Sequence, residues 1–473
     1  MSEKSPPTAT TPSPPSPPPY ISSAPSPAHQ DTTPAHPKWY RSTTYNALIL
    51  GLCNFLAPGL WTAMNSLGGG GSESPYLVDA ANALTFCLMV VSCVCGSAIV
   101  RLIGVKYTLM LGTIGYAPYA AGLYTNNRFH SAWLLLLGAA LCGLSAGVFW
   151  LAESSIALAY PEPGRQGFFL GLWLSFRVGG QILGGAINLG LNVHRSTAGS
   201  VSYAVFLVFV ALQACGPVAG MLLTPPEKVQ RRDGVRVQLR LAEDGVLAEL
   251  QHTLRLLCTR NVLLIVPLIA QAIYTEAVMF TYLDLWFSVR ARALASFLSG
   301  CLALIAGNVL GYVLDHAGGS LKGKARGVFA VVMTLQGGVW VWATVITSIY
   351  REKHQAALDW ADPGFARGWV LYLFWVAMFQ VNYMFLYFVV GNLARNKGEV
   401  VRLSALLRGT ESAVQAVSYG LSSVGIMASV GGTYLNFALW AISVYPAWLV
   451  VRQIGTTLGD RKREREVEEE ASE

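Results

Sequence analysis

Residues 132–157 read AWLLLLGAALCGLSAGVFWLAESSIA, with Glu153 as their single charged side chain. A helix needs about 20 mostly apolar residues to cross the hydrocarbon core. Backbone can sit in lipid only when its hydrogen bonds close internally, as they do in a helix. Similar runs extend outward in both directions, at 44–66, 78–103, 107–125, 167–192, 201–223, 261–285, 293–314, 327–349, 368–390, 403–427 and 432–453. The chain is 53% hydrophobic and only 12% charged, about half the charge of an ordinary soluble protein. These features predict an all-α polytopic membrane protein of about twelve transmembrane helices, and any function must work inside that architecture.

The basic residues set the orientation. Counting joints, tails and the ends of runs, about 25 Lys and Arg, Arg101 and Arg408 among them, fall on the side of both termini and about seven on the other, the asymmetry of cytosolic against outer loops. Both termini are therefore expected in the cytosol, and the residues do not choose between plasma membrane and endomembrane. The net charge of +7 reflects this asymmetry, so no nucleic-acid partner is expected. The longest joint, 224–260, is basic and starts with Pro225-Pro226. It divides the chain into an N-terminal six-helix half (44–223) and a C-terminal one (261–453), as two rocking halves require. Residues 1–43 are rich in Pro, Ser and Thr, a composition that cannot bury enough surface to fold. They are expected to form a disordered tail, either simply solvated or phosphorylated and partner-binding. A charged tail (454–473) closes the chain.

Seven of the eight Cys lie in apolar runs and Cys258 sits at the edge of one, where thiols behave as small hydrophobes. No disulfide framework and no Cys-ligated metal are expected. The seven His (His29, His36, His130, His194, His252, His316, His354) lie in tails, loops or span edges, so no metal site or cofactor is expected within the membrane. No Walker-type, nucleophile-elbow, zincin or dinucleotide-binding sequence occurs, which argues against an enzyme and against ATP-driven pumping.

Two loops occupy matching places in the halves. Between the eighth and ninth runs the chain reads Gly311-Tyr-Val-Leu-Asp315-His316-Ala-Gly318-Gly319, followed by Lys322, Lys324 and Arg326. Between the second and third it reads Gly96-Ser-Ala-Ile-Val-Arg101-Leu-Ile-Gly104-Val-Lys106. Gly permits close helix approach and tight turns, and a carboxylate at a helix end can pair with facing basic residues. Such a charged latch holds one conformation and is released in the other. The pattern resembles the Gly-x-x-x-Asp-Arg-x-Gly-Arg loop of the major facilitator superfamily. The second copy keeps Gly311, Asp315 and Gly318, whereas the first has Arg101 in the Asp place; the alternative for each is an ordinary basic turn.

A narrower resemblance rests on three blocks. They are Gly51-Leu-Cys-Asn-Phe-Leu-Ala-Pro-Gly59 running into Gly68–Gly71, Gly143-Leu-Ser-Ala-Gly-Val-Phe-Trp150-Leu-Ala-Glu153-Ser-Ser, and Tyr160-Pro-Glu-Pro-Gly-Arg165-Gln-Gly167 leading into Gly184-Gly-Ala-Ile-Asn188-Leu-Gly190. Together these look like the Unc-ninety-three-like branch of that superfamily, particularly its fungal members. The resemblance implies a major facilitator fold of two pseudo-symmetric six-helix halves. It implies no substrate, since the branch includes channel-regulatory subunits and receptor-trafficking chaperones as well as transporters.

Charges inside the membrane mark function, since each costs several kcal/mol at the bilayer centre. Four are singled out: Glu153, Arg177, Glu276 and Glu411. Arg177 is followed four residues on by Gln181, and Glu411 likewise by Gln415. Glu153 and Arg177 are expected either to neutralise each other or to handle substrate or protons. Glu276 has no basic neighbour in its own run and is the leading coupling candidate. Asn382, an amide at depth among aromatics, completes the set. The sequence therefore suggests a secondary transporter of a small organic solute, with the lipid bilayer as its surroundings. The alternative is a non-transporting escort or regulator of another membrane protein.

Overall fold

A computed structural model describes residues 38–67, 75–160, 166–194, 196, 201–231, 237, 246–316, 318–394 and 397–456. The Pro-rich segment 1–37, the Gly68–Gly71 run and the last residues, 457–473, lie outside them. The helices are α1 (Thr43–Asn54), α2 (Leu60–Asn65), α3 (Tyr76–Gly112), α4 (Tyr116–Phe129), α5 (Ala132–Ala159) and α6 (Gln166–Asn192). They continue with α7 (Tyr203–Ala214), α8 (Gly216–Met221), α9 (Val246–Leu257), α10 (Arg260–Trp286) and α11 (Val289–His316). The chain ends with α12 (Leu321–Glu352), α13 (Phe365–Gly391), α14 (Lys397–Ser422) and α15 (Gly432–Val451). Nine stretches among the described residues are long and apolar enough to cross a membrane by length and composition alone. The other passes are 105–129, α6 and α14, the last made polar by Arg408 and Glu411. The all-helical, twelve-pass architecture read from the sequence is the one observed.

Local chemistry explains the breaks. Pro58 lacks an amide hydrogen and cannot continue the i to i−4 ladder, so the first pass opens into a π turn over Phe55–Gly59 between α1 and α2. The turn expected between the second and third passes contracts to one residue. Gly104, at φ 79° and ψ 159°, redirects an otherwise unbroken α3, a conformation that costs glycine nothing.

The ordered chain begins earlier than the sequence suggested. Residues 38–42, assigned to it, are ordered: the Lys38 amide donates to Gln230 Oε1 at 3.0 Å and Thr224 Oγ1 donates to the Tyr40 carbonyl at 2.6 Å. These contacts, with Asn261 on Gln453 at 3.4 Å and Arg326 on the Arg452 carbonyl at 2.7 Å, tie residues 38–40 to the start of the linker and residues 452–453 to the starts of α10 and α12. The linker itself contains α9, which the sequence reading left as a basic joint.

The halves meet where α6 runs along α11 and α3 along α14. Small and hydroxyl side chains line this seam, as suits helices that approach closely in lipid. Asn308 Nδ2 donates to Ser175 Oγ at 3.1 Å, and Ser66 and Ser296 hydroxyls meet at 2.5 Å. Leu102, Ile305, Ile442 and Tyr445 are exposed on the outer surface, where the surroundings are lipid.

Candidate functional site

Glycine sets the position of the central charges. A Cβ on Gly180 would lie 2.8 Å from the Gly59 Cα, and one on Gly59 would lie 2.8 Å from the Arg177 carbonyl. The π turn of the first pass and α6 therefore touch backbone to backbone, and Arg177 projects from α6 just beside this contact. Across the seam its guanidinium reaches Glu276 Oε2 of α10 at 3.7 Å. Glu276 Oε1 accepts from Gln415 Nε2 at 3.4 Å and from the Tyr419 hydroxyl at 3.5 Å, both on α14. Sequence reasoning left Glu276 without a basic partner; the partner comes from the other half, which spacing within one run cannot show.

Glu153 differs from expectation too. It does not pair with Arg177. Its Oε1 accepts from Asn54 Nδ2 of α1 and from Trp173 Nε1 of α6, while its Oε2 has no hydrogen-bond partner. Both donors are neutral groups.

Glu411 pairs with Arg408 at 2.8 Å, one turn earlier on α14. Arg408 had been counted among the cytosolic basic residues, yet it is 1% exposed. Its Nη1 donates to the Tyr383 hydroxyl at 2.5 Å. Its guanidinium lies 4.1 Å from the centre of the Trp150 ring and 5.2 Å from that of Tyr387. Arg177 shares the same indole, 5.1 Å from its centre, and stands 5.4 Å from the Tyr383 ring. Cations over aromatic faces gain more where water is absent. Arg408 Nε and Nη2, with Glu411 Oε1, are left without hydrogen-bond partners.

Five ionisable groups thus converge at the seam: Glu153 and Arg177 from the first half, Glu276, Arg408 and Glu411 from the second. Three carboxyls stand against two guanidiniums. Each guanidinium has its own carboxylate, and Glu153 is the carboxyl left over.

The other predicted residues lie elsewhere. Gln181 Nε2 donates to Ser299 Oγ at 3.3 Å, stitching α6 to α11. Asn382 Nδ2 donates to Gln271 Oε1 at 3.1 Å, tying α13 to α10. In the latch loops, Gly104 makes the turn described above, Lys106 is half-buried, Gly311 is buried and Gly318 is exposed. The side chains of Arg101 and Asp315 lie outside the described residues. Lys324 Nζ donates to the Leu314 carbonyl at 3.2 Å, and His316 stacks on Tyr312 with centroids 4.5 Å apart.

Sequence reasoning missed a second polar cluster at the other end of the bundle. Asp284 of α10 pairs with Arg292 of α11, both buried. Thr281 donates to Asp79 at 3.1 Å, linking α10 to α3. In the joint between α12 and α13, Asp359 accepts from Arg290 Nε at 2.8 Å and from Ser288 Oγ at 2.5 Å. The Arg290 hydrogen bond, with help from Ser288, holds the Asp359 carboxyl below the usual carboxylate range.

The profile of the family described as "Ion channel regulatory protein UNC-93" matches residues 76–335, more than half of the chain. The chain belongs to the UNC-93 family. It is 39% identical over 428 residues to "Notoamide biosynthesis cluster protein O'" of Aspergillus versicolor, covering 90% of this chain and 92% of that one. It is 29% identical to "UNC93-like protein 1" of Arabidopsis thaliana, covering 86% and 90%. The fold is similar to that of the major facilitator superfamily transporter FucP in its outward conformation, with a TM-score of 0.55, 12% identity and 86% and 98% coverage. In this UNC-93 protein the charge cluster therefore occupies the seam of a major facilitator fold, a setting for a transporter-like or regulatory role.

Proposed function

We propose that this protein is a secondary transporter of a small organic solute, working by alternating access, with both termini in the cytosol and coupled to protons through Glu153. The observation that carries this reading is the Arg177–Glu276 contact at 3.7 Å, which joins the two halves across their buried seam. Alternating access rocks one half against the other, so contacts across the seam must break and re-form in each cycle. The charge count supplies the coupling. Two guanidiniums balance two carboxylates, and burying a third uncompensated charge is costly. One proton balances the cluster, and Glu153, held by neutral donors with Oε2 free of partners, is the place for it. The described part of the cytosolic latch, with Gly311, Gly318 and the basic residues after them, is assigned to closing the linker end.

The test is purified protein in liposomes under an imposed pH gradient, offered solutes whose levels differ between cells with and without the protein. Glu153→Gln keeps the shape and removes the titrating proton. It should abolish gradient-driven accumulation while solute exchange without a gradient continues. Equal accumulation by the variant would remove Glu153 from the coupling.

A regulatory reading has its own support, since Arg101 replaces the latch Asp in the first half and the family is described by channel regulation. It predicts that the wild-type protein moves no solute and that a co-purifying membrane protein mislocalises when this chain is deleted.

A further inference from the structure

At the linker end, a cavity of about 320 Å³ opens between α9 and the starts of α10 and α14, within the size range of small-molecule sites. Arg255, Arg260, Arg402 and His252 line it, and Glu399 is the acid of the wall among the described residues. Among these described lining residues three guanidiniums stand against one carboxylate. The first turn of the 27-residue α10 also opens into it. Thr259, at the N-cap, makes no side-chain capping bond; its hydroxyl donates back to the Leu256 carbonyl at 2.7 Å instead. Uncapped amides at the positive end of a long helix favour an anion.

The walls are apolar below the arginines, at Leu256, Leu393 and Leu403. α9 is amphipathic: its sequence VLAELQHTLRLL places Leu247, Leu250, Leu254 and Leu257 at helical spacing. Leu256 and Leu257 dock on the core, whereas Leu254 is 51% exposed. A helix with an exposed leucine and neighbouring arginine suits the boundary between acyl chains and head groups. Basic residues there attract anionic lipid.

We propose that this cavity binds a phosphate-bearing ligand of the membrane boundary, with Arg255, Arg260 and Arg402 as its phosphate contacts. The site is separate from the charge cluster and does not depend on transport. Occupied, it ties the linker helix α9 to the start of α14, the helix that carries Arg408 and Glu411.

The experiment is native mass spectrometry of the full chain in neutral detergent, titrated in separate arms with phosphatidylinositol 4-phosphate, phosphatidylcholine and inositol 1,4-bisphosphate. Wild type should retain the phosphoinositide roughly tenfold better than phosphatidylcholine. Arg255→Gln with Arg260→Gln should remove that preference, while Arg128→Gln, at the opposite end of the bundle, should leave it intact. Binding of the phosphoinositide alone makes the ligand a lipid head group; equal binding of the water-soluble bisphosphate makes it a free phosphate compound. No preference over phosphatidylcholine in wild type overturns the proposal, as does a preference that survives in the double variant. Exposed Arg255 and Arg260 are outside the core, and the single substitutions give a second reading should the double variant misfold.

Discussion

Arg408 of α14 rests with its guanidinium carbon 4.1 Å from the centre of the Trp150 ring of α5, a cation of the second half seated on an aromatic face of the first. Arg177 stands over the same indole at 5.1 Å. Trp150 therefore offers its ring to two guanidiniums, one from each half, and its Nε1 is anchored on the Tyr116 hydroxyl at 3.1 Å.

Trp150→Leu should consequently lower thermal stability in detergent by about 1–2 kcal/mol beyond its packing loss, the scale of a desolvated cation–π contact. Trp150→Phe keeps a ring and should recover part of it. Identical melting of the Leu and Phe variants would show that the aromatic face contributes nothing.

The Arg177–Glu276 pair should behave as a coupled unit. Removing one partner of a buried pair leaves an uncompensated charge and costs about 3–5 kcal/mol. Arg177→Gln and Glu276→Gln should each destabilise strongly, and the double variant should be more stable than the sum of the two losses implies. Unfolding of all four proteins gives the interaction energy, expected at roughly 0.5–3 kcal/mol. Strict additivity would mean that the two side chains do not interact.

The passes were legible because each needs only its own run of apolar residues, a local property. The charge cluster was half legible. Glu153, Arg177, Glu276 and Glu411 announce themselves as charges within apolar runs, but their partners come from elsewhere in the bundle. Arg177 and Glu276 meet only because α6 and α10 lie on facing sides of the seam, and one sequence carries no signal of that. Arg408 had a signal that went unused: it stands three residues before Glu411, on the same helix face, inside the run 403–427. Asn54 and Trp173 carried none, since an amide and an indole are ordinary in such helices. Gly104 was read as part of a loop because a helix that turns on one residue looks the same in sequence as a short joint.

Asp359 gives a pH dependence with a definite sign. Its carboxyl is held below the usual range by Arg290 first and Ser288 after it, so its contribution to stability is present above the unfolded carboxylate value, near pH 3.9. It is lost as the pH falls through the lower folded value. Pepsin cleavage within 353–364 of the intact solubilised protein should therefore stay low at about pH 4 and rise only below it. Arg290→Gln should move the onset upward. An unchanged onset in that variant would show that the ion pair does not anchor the joint.

Gly180 tests whether the backbone contact with Gly59 sets the charge cluster. A methyl group at 180 would press on the Gly59 Cα at 2.8 Å and on the Phe55 carbonyl at 2.8 Å, backbone atoms that cannot rotate away. Overpacking of this kind costs about 1–3 kcal/mol, and relief requires α6 to move off the π turn, carrying Arg177 with it. Gly190, on the same helix, has nothing within 4 Å of its Cβ position. Gly190→Ala should be neutral or stabilising by about 0.5–1 kcal/mol, since alanine favours helix. Gly180→Ala should melt lower, and in it the Arg177–Glu276 interaction energy, measured by the same four-protein cycle, should fall toward zero. A Gly180→Ala protein that melts lower yet keeps the full interaction energy would show that the glycine contact stabilises the bundle without positioning the charges.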